Sequence, residues 1–227
     1  MALIDPVKFY KDGSREHGGV QAAKVYYYND FTNKYFTPIV QESTVQQLLA
    51  FKHLIPGKIY TYQYSPIGAG TLDWYDTRPI IISIRHYKAE STSNPIEFGI
   101  NLNFLPAQAK KIVLDRLYQT YRSLIDRNMR NIESGNILNQ TPLFTDTHDF
   151  MKVLDYLWDS VGNTNYRFAC RNYIFSRMQN IKAIDYQDWG QILFLESRDI
   201  SGASIGQIYK EYYDSKHKKT KQKKKKT

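Results

Sequence analysis

The sequence predicts an α+β fold in which a small, SH3-like barrel-type sheet is packed by C-terminal helices. Between residues 56 and 105, polar and apolar side chains alternate with a period of two, which is typical of strands. From residue 106 onward, apolar residues recur at helical spacing. A late strand-like run at 190–196, centred on 192–195, is expected to close the barrel. Strands followed by helices are typical of α+β domains, whereas alternating units indicate a parallel sheet.

Three strands are predicted before residue 105. In Ile59–Tyr64 every second residue is a tyrosine, so the three tyrosines share one face. Pro79 precedes the apolar run 80–84, which fits a strand buried on both faces. The third strand follows Pro95, and Gly99 within it predicts a close approach of two backbones. Four alternating residues of this segment are expected to be buried together: Phe98, Ile100, Leu102 and Phe104.

Helices are predicted over residues 106–180. Pro106 suits the first position of a helix, because its missing N–H would be unpaired there in any case. The following 25 residues show a long helical pattern, and two shorter helices are predicted near 150–158 and 165–179. Asp185 is then a candidate cap for a short turn before the late strand.

Residues 1–55 are predicted to form an N-terminal arm with a short helix. The first 22 residues combine glycine, proline and scattered charges without either period, which indicates an arm or loop. Two tyrosine-containing runs, 25–28 and 35–40, are predicted as a strand pair. Ser43 is a candidate cap for the short helix, since its hydroxyl can accept from a free backbone amide.

The charge distribution separates a core domain from a tail. Residues 56–215 are expected to be a single α+β core whose last element is a short helix at 204–213, and residues 216–227 a disordered polylysine tail. The chain has a net charge of +9, and the tail holds eight lysines and no acid, so the rest of the chain carries only +1. A near-neutral fold with a basic tail is typical of a protein tethered to an anionic partner.

Seven tail lysines are the candidate nucleic-acid-binding residues, because crowded like charges call for an anionic partner. DNA, RNA, anionic lipid and a merely solubilising role are all compatible with this composition. If the partner is a nucleic acid, lysines contact phosphates rather than bases, so binding would be independent of sequence and sensitive to salt. The candidates are Lys218, Lys219, Lys221, Lys223, Lys224, Lys225 and Lys226.

Several classes of site are not supported by the sequence. The single cysteine, Cys170, excludes an internal disulfide and a cysteine-based zinc cage. Neither a glycine-rich phosphate loop nor a pair of histidines with a glutamate at metal-binding spacing is present, so we expect no cofactor, no metal and no enzyme activity. The chain contains no apolar run of the roughly 20 residues that span a membrane, and its opening residues lack a secretory signal. We therefore expect a cytosolic protein without a membrane partner.

A metal-dependent nuclease is the enzymatic alternative. Asp73, Asp76 and Glu97 could form the carboxylate cluster that holds a divalent ion. Against this, short acids in a turn commonly accept hydrogen bonds from nearby backbone amides. Residue 99, where one nuclease pattern has a lysine, is glycine. We therefore interpret the two aspartates as turn residues.

Three short motifs stand out in the strand region, PGKIY at 56–60, YDTRP at 75–79 and GINLNFLP at 99–106. Together they resemble the DNA end protector family of tailed bacteriophages. The resemblance extends over about residues 50–210 and leaves out the first 50 residues. Its C-terminal part includes Arg167, Cys170, Arg171, Tyr173, Trp189 and the run 193–195.

The resemblance implies a virion protein that binds the ends of packaged double-stranded DNA and shields them from host exonuclease, without catalytic residues. It places double-stranded DNA first among the partners of the tail, with other virion proteins beside it, and implies residence in the virion and, during assembly, in the host cytoplasm. The sequence departs from the family pattern at Trp74, where tyrosine is usual, and at Asn103 and Phe104, where histidine and tyrosine often stand. No role for that histidine carries over.

A second function of a different class remains open. The chain could instead be a purely structural neck, tail or head-completion connector that joins virion proteins without acting on DNA ends. A basic groove on the folded part would favour the protector. A homo-oligomer, which the sequence leaves open, or an exposed tyrosine surface would favour the connector.

Overall fold

The computed structural model places the helices, the main sheet and the core of the protein. It describes residues 5–37, 53–69, 72, 75–88, 94–136, 141–143, 169–195, 200–201, 207 and 210. The predicted helices after Ser43 and near 150–158, most of the one at 204–213, and the lysine tail lie outside the described residues.

Five antiparallel strands form the main sheet. The strands of the described chain are β1 (Ile59–Tyr64), β2 (Tyr75–Asp76), β3 (Ile80–Lys88), β4 (Pro95–Asn101), β5 (Cys170–Ile174), β6 (Met178–Ala183) and β7 (Ile200–Ser201). The order across the main sheet is β5-β4-β3-β1-β6, and β2 pairs with β7 in a separate two-stranded ladder. In the main sheet, Ile82 of β3 lies opposite both Ile59 of β1 and Ile100 of β4, so the sheet centre is lined with isoleucine.

The connection between the two edge strands requires the sheet to curve strongly. Only three residues, Phe175–Arg177, separate β5 from β6, although these strands are the two edges. Four strand spacings of about 4.8 Å would put the edges of a flat sheet about 19 Å apart, whereas the connection spans at most about 14 Å. Contacts across the concave face agree, because the rings of Tyr64 on β1 and Tyr173 on β5 lie 5.0 Å apart. The Ile174 amide also donates to the Tyr64 hydroxyl at 3.3 Å.

The predicted barrel is nevertheless wrong, because the sheet stays open. Within the described residues β5 and β6 share no ladder, and the segment expected to close the barrel is not a strand. Residues 192–194 are the end of a 3₁₀ helix, Tyr186–Phe194, and Leu195 directly follows it. Trp189, Ile192 and Leu193 are buried in it at spacings of three and four residues, which is a helical pattern. The α+β class is confirmed.

Helices cover the convex face of the sheet. The helices are α1 (Pro6–Glu16), α2 (Val20–Phe31), a π-helix (Thr32–Phe36) and the long α3 (Ala107–Glu133). The main core joins Ile82 and Ile100 of the sheet with Val113 and Leu117 of α3 and with Trp189. The long helix predicted after Pro106 is thus confirmed, with Pro106 as its N-cap rather than its first residue.

The N-terminal segment is helical over most of its described residues 5–37, so the predicted arm and strand pair are wrong there, while residues 38–40 of the second predicted strand lie outside the described part of the chain. Ala23, Tyr27, Phe31 and Tyr35 are buried at intervals of four, which places them on one helix face. The tyrosine-containing runs suggested strands because aromatic residues favour strands, but tertiary burial on a helical stripe decides here. Tyr27 stacks on Phe194 at 4.7 Å, which ties α2 to the 3₁₀ helix.

The helix predicted over residues 165–179 is also wrong within the described residues. Residues 170–174 form β5, which pairs with β4 through Ile100 opposite Cys170 and Glu97 opposite Tyr173. Met178 then begins β6, which pairs with β1. Pairing with strands distant in the sequence overrides the local pattern here. Cys170 is half-buried at the edge of the main core rather than within a helix.

The three strands predicted before residue 105 are confirmed, with one change at the end of the third. The strand ends at Asn101, and Leu102–Phe104 form one 3₁₀ turn. Ile100, Leu102 and Phe104 are buried as expected, whereas Phe98 is half-buried at the margin of the same core. The close approach predicted at Gly99 is present, since a Cβ there would lie 2.6 Å from the carbonyl oxygen of Ile82.

We predict that Gly99→Ala destabilises the protein by about 1–3 kcal/mol, because the added methyl would meet a backbone oxygen that cannot rotate away. Urea unfolding of the variant and of wild type measures the difference. Thr120→Ala, an exposed change on α3, is the control and should shift the free energy of unfolding by less than about 0.5 kcal/mol. A Gly99→Ala protein as stable as wild type would contradict the close packing.

Candidate nucleic-acid interface

The residues predicted to bind nucleic acid lie outside the described part of the chain. All seven, from Lys218 to Lys226, fall beyond residue 210, so their contact with DNA stays a prediction. Within the described residues, the surfaces that could contact nucleic acid lie on the folded domain.

The solvent face of α3 carries four exposed arginines. The helix is amphipathic, with Val113, Leu117 and Ile125 among the residues that it buries in the core. Its outward side carries Arg116, Arg122, Arg127 and Arg130. At 100° per residue, Arg116, Arg127 and Arg130 fall within a stripe about 60° wide, and Arg122 lies about 80° beyond its edge on the same solvent-exposed side. This set of four arginines is called the arginine face below.

Buried hydrogen bonds fix the orientation of α3. Near its start, the ammonium of Lys110 is buried and donates to the carbonyl oxygen of Leu195 at 2.9 Å. Near its end, the Asn128 amide donates to the Thr141 carbonyl at 2.7 Å and accepts from the Thr141 amide at 2.8 Å. Asn128 also donates to the Tyr186 hydroxyl at 3.3 Å. These anchors at both ends hold the arginine face toward solvent.

The cleft between α1 and α3 is charged but balanced. It is lined by three lysines, three aspartates and Gln108, among other residues, so its positive and negative charges are equal in number. On the neighbouring surface of α1, Arg15 pairs with Asp12 at 3.1 Å. The cleft therefore offers no excess of positive charge to a polyanion. Its charged residues are Asp5, Lys8, Lys11, Asp12, Lys111 and Asp115.

Asp76, one of the three residues considered for a nuclease site, is a structural carboxylate. It is buried, and it accepts from the side-chain amides of Asn101 at 2.7 Å and Asn103 at 2.9 Å. Its other oxygen accepts from the backbone amide of Arg78 at 3.0 Å, which is the turn bond predicted from the sequence. Asp73 lies outside the described residues. Both carboxylate oxygens of Asp76 are thus engaged by protein donors.

Glu97, the third of these residues, is fully buried in a separate pair. Its Oε1 accepts from the Leu54 amide at 3.0 Å and lies 2.9 Å from Nδ1 of His86. Burial raises the pKa of Glu97 to about 8, and burial together with nearby His53 lowers the pKa of His86. The pair is therefore an uncharged hydrogen bond at pH 7 rather than an ion pair. The described residues contain no group of three acids, histidines or cysteines placed to hold a metal ion.

The concave face also holds polar atoms that have no hydrogen-bond partner among the described residues. They include the hydroxyl of Tyr62 and Oε2 of Glu97. Tyr62 packs edge-on against Tyr64 and Tyr173, and burial raises its pKa well above the ordinary value. A carboxylate oxygen without a donor explains why Glu97 is more stable protonated.

Sequence reasoning missed both the arginine face and the buried network. The arginine spacing of 11 and then 3 residues within a predicted helix was the signal for the first, because it returns to one side of the helix. For the second, the sequence offered two separate motifs, YDTRP with Asp76 and GINLNFLP with Asn101 and Asn103. Their common acceptor, Asp76, lies 25 residues before Asn101, so pattern alone could not join them.

We predict that stability falls between about pH 5 and 8 because of Glu97. Its pKa is about 8 in the folded protein and near the ordinary 4.5 when unfolded, so the folded state binds the extra proton in this window. The contribution is fully present below pH 4.5 and is lost as pH rises through 8. Denaturant unfolding at pH 5, 6.5 and 8 measures it. Glu97→Gln should flatten the dependence, and the exposed control Glu133→Gln should not. An unchanged slope in Glu97→Gln would contradict the assignment.

Among the described residues, no helix is long and apolar enough to cross a membrane. Searches of curated proteins and of solved structures found no match. The family model described as phage T4 terminal DNA protecting protein matches residues 17–133, which is just over half of the chain. The match begins at residue 17, within the first 50 residues, which the motif resemblance did not cover. It ends at residue 133, before the C-terminal stretch from Arg167 to residue 195 that the resemblance included. It confirms the resemblance to DNA end protectors: the chain belongs to the family of the phage T4 terminal DNA protecting protein.

Proposed function

We propose that this protein is a virion component that binds the ends of packaged double-stranded DNA and protects them from exonuclease without reading base sequence. Family membership supports protection of DNA termini. In this proposal the protein acts in the virion and encounters its DNA in the host cytoplasm during assembly. Other virion proteins are its neighbours.

The separation of charge between tail and body is the observation that carries the sequence-independent part of the proposal. Residues 216–227 contribute eight of the nine net positive charges. A run of lysines neutralises phosphates along the DNA backbone independently of base sequence, and releasing the counterions of DNA supplies the free energy of binding. The folded domain is then left to determine where on the DNA the chain is held.

No catalytic step is part of the proposed function. Asp76 has both oxygens engaged by Asn101, Asn103 and the Arg78 amide. Glu97 is protonated at neutral pH because of its burial, and a protonated carboxyl is a poor ligand for magnesium. These two observations favour a binding protein over a nuclease, and the proposal needs no cofactor.

A structural connector is the second candidate, and the outer face of α2 is the observation that favours it. Val25 and Tyr26 are 61% and 53% exposed, next to exposed Ala22. Exposed aromatic and aliphatic side chains on one helix are typical of protein contacts. This surface suits a neighbouring virion protein or a second copy of the chain, and it is compatible with end protection as well.

We predict that deleting residues 216–227 weakens binding to duplex DNA and flattens its dependence on salt. If about five lysines each neutralise one phosphate, log affinity falls with log salt at a slope that is about 4 to 5 units steeper with the tail than without it. Titration of labelled duplex at several salt concentrations measures both slopes. Circular dichroism should show an unchanged fold. A truncated protein with the full slope would contradict a role for the tail.

End protection makes a separate prediction for the full chain. The protein should bind a linear duplex with free ends more tightly than a closed circle of the same sequence, and it should slow digestion by an added exonuclease. Competition binding and the digestion rate measure the two effects. Equal affinity for both forms together with no protection would leave the connector as the better interpretation.

We also predict that the purified protein hydrolyses neither DNA nor nucleotides when magnesium or manganese is present. Gel analysis of circular and linear DNA after incubation measures this. Metal-dependent cleavage that disappears in Asp76→Asn would overturn the prediction and restore the nuclease interpretation.

A further inference from the structure

The arginine face of α3 concentrates positive charge on a body that is close to neutral. Outside the tail the chain carries only +1, so three exposed arginines within one 60° stripe, with Arg122 beside it, mark a local excess. The acids of the helix lie outside the stripe, between it and Arg122. Asp115 and Asp126 are half-buried about 80–100° from Arg116, and Glu133, the last residue of the helix, falls on the same line.

The dimensions of the arginine face match the phosphate backbone of a duplex. Arg116 and Arg130 are separated by 14 positions of α3, which is about 21 Å at 1.5 Å per residue. Consecutive nucleotides of one strand rise about 3.4 Å along the duplex axis, so this length corresponds to about six nucleotides. Thr120 and Ser123, both exposed, lie between the arginines and can donate further hydrogen bonds.

We propose that the arginine face is the surface on which the folded domain holds the phosphate backbone of double-stranded DNA. This inference rests on the proposed function and names the part of the fold that performs it. Guanidinium groups bind phosphate oxygens through two parallel hydrogen bonds, which fixes position better than the point charge of a lysine. The tail captures DNA, and the arginine face orients it.

The proposed contacts of α3 are with the DNA backbone rather than with base edges. The helix buries one side against the sheet, and its anchors at Lys110 and Asn128 hold it in the domain. Hydrogen bonds from arginines to phosphate oxygens fix position and carry no sequence information. Recognition by this surface is therefore independent of sequence, as protection of a DNA terminus requires.

The arginines of the C-terminal half of α3 have few competing contacts that would hold them away from DNA. The Arg127 guanidinium donates to the Thr141 hydroxyl at 3.4 Å, which is a long bond, and Arg122 lies 5.6 Å from the centre of the Tyr118 ring. The Arg127 contact is exposed, and the Arg122 guanidinium, itself exposed, lies over the buried Tyr118 ring. Arg122, Arg127 and Arg130 are therefore the residues to change.

The test uses the full-length triple variant R122Q/R127Q/R130Q. If each arginine neutralises one phosphate, the slope of log affinity against log salt should become shallower by about 2 to 3 units, and binding should weaken at physiological salt. The matched control is K8Q/K11Q, which removes two exposed lysines from the charge-balanced α1 surface. It should leave the slope nearly unchanged. Thermal unfolding checks that both proteins are folded.

A charge-preserving variant keeps the inference falsifiable if glutamine disturbs the helix. R122K/R127K/R130K should retain most of the salt slope, because the charges remain, and it should protect ends less well, because the paired hydrogen bonds are lost. A slope as shallow as that of the glutamine variant would overturn phosphate neutralisation by this face. So would a folded glutamine variant that binds DNA as wild type does, which would point to an acidic protein partner instead.

Failure of this inference differs from failure of the proposed function. If the arginine variants bind and protect DNA normally while tail deletion abolishes binding, the arginine face is overturned and end protection stands. If wild type shows no preference for ends and no protection, end protection fails. The salt slopes of the arginine variants still report whether this face contacts DNA.

Discussion

The short connection Phe175–Arg177 is the constraint on which the rest of the fold depends. It joins strands at opposite edges of a five-stranded sheet, so the sheet has to curve until those edges lie near each other. Curvature creates a concave face lined by tyrosines such as Tyr62 and Tyr173, and a convex face of isoleucines that must be covered. The helices α1, α2 and α3 provide that cover. The outward sides of these helices, that of α3 among them, are consequently left to solvent.

Buried polar groups are compensated differently on the two faces of the sheet. On the convex face, apolar side chains dominate, and the buried ammonium of Lys110 donates a hydrogen bond to the backbone carbonyl of Leu195. On the concave face, Asp76 is paired with two asparagines, whereas Glu97 lacks a donor for one oxygen and stays protonated. A charged carboxylate is stable in a protein interior only when donors compensate for the lost water. The same rule explains why these acids serve the fold rather than metal chemistry.

In the proposed function, the tail and the arginine face have different tasks in binding DNA. A polylysine segment speeds association, since it contacts phosphates without a fixed geometry. A rigid helix fixes position, because its arginines are held at set distances by anchors at both ends. The proposal requires both, because an exonuclease is blocked only while the protein remains bound at the DNA end. Under the same proposal, the exposed Val25 and Tyr26 on α2 are available for contacts with neighbouring proteins.

The sequence by itself determined the α+β class, β1 with its tyrosine face, the helix after Pro106 and the close approach at Gly99, because each follows from local periodicity or from the missing side chain of glycine. It also determined the charge separation and the family. The tertiary structure decided that residues 170–174 are a strand, that 192–195 are not one, and that the N-terminal segment is helical. In each case distant partners, such as β4 for β5 and Phe194 for Tyr27, outweigh local preference, and a pattern within one segment carries no information about such partners.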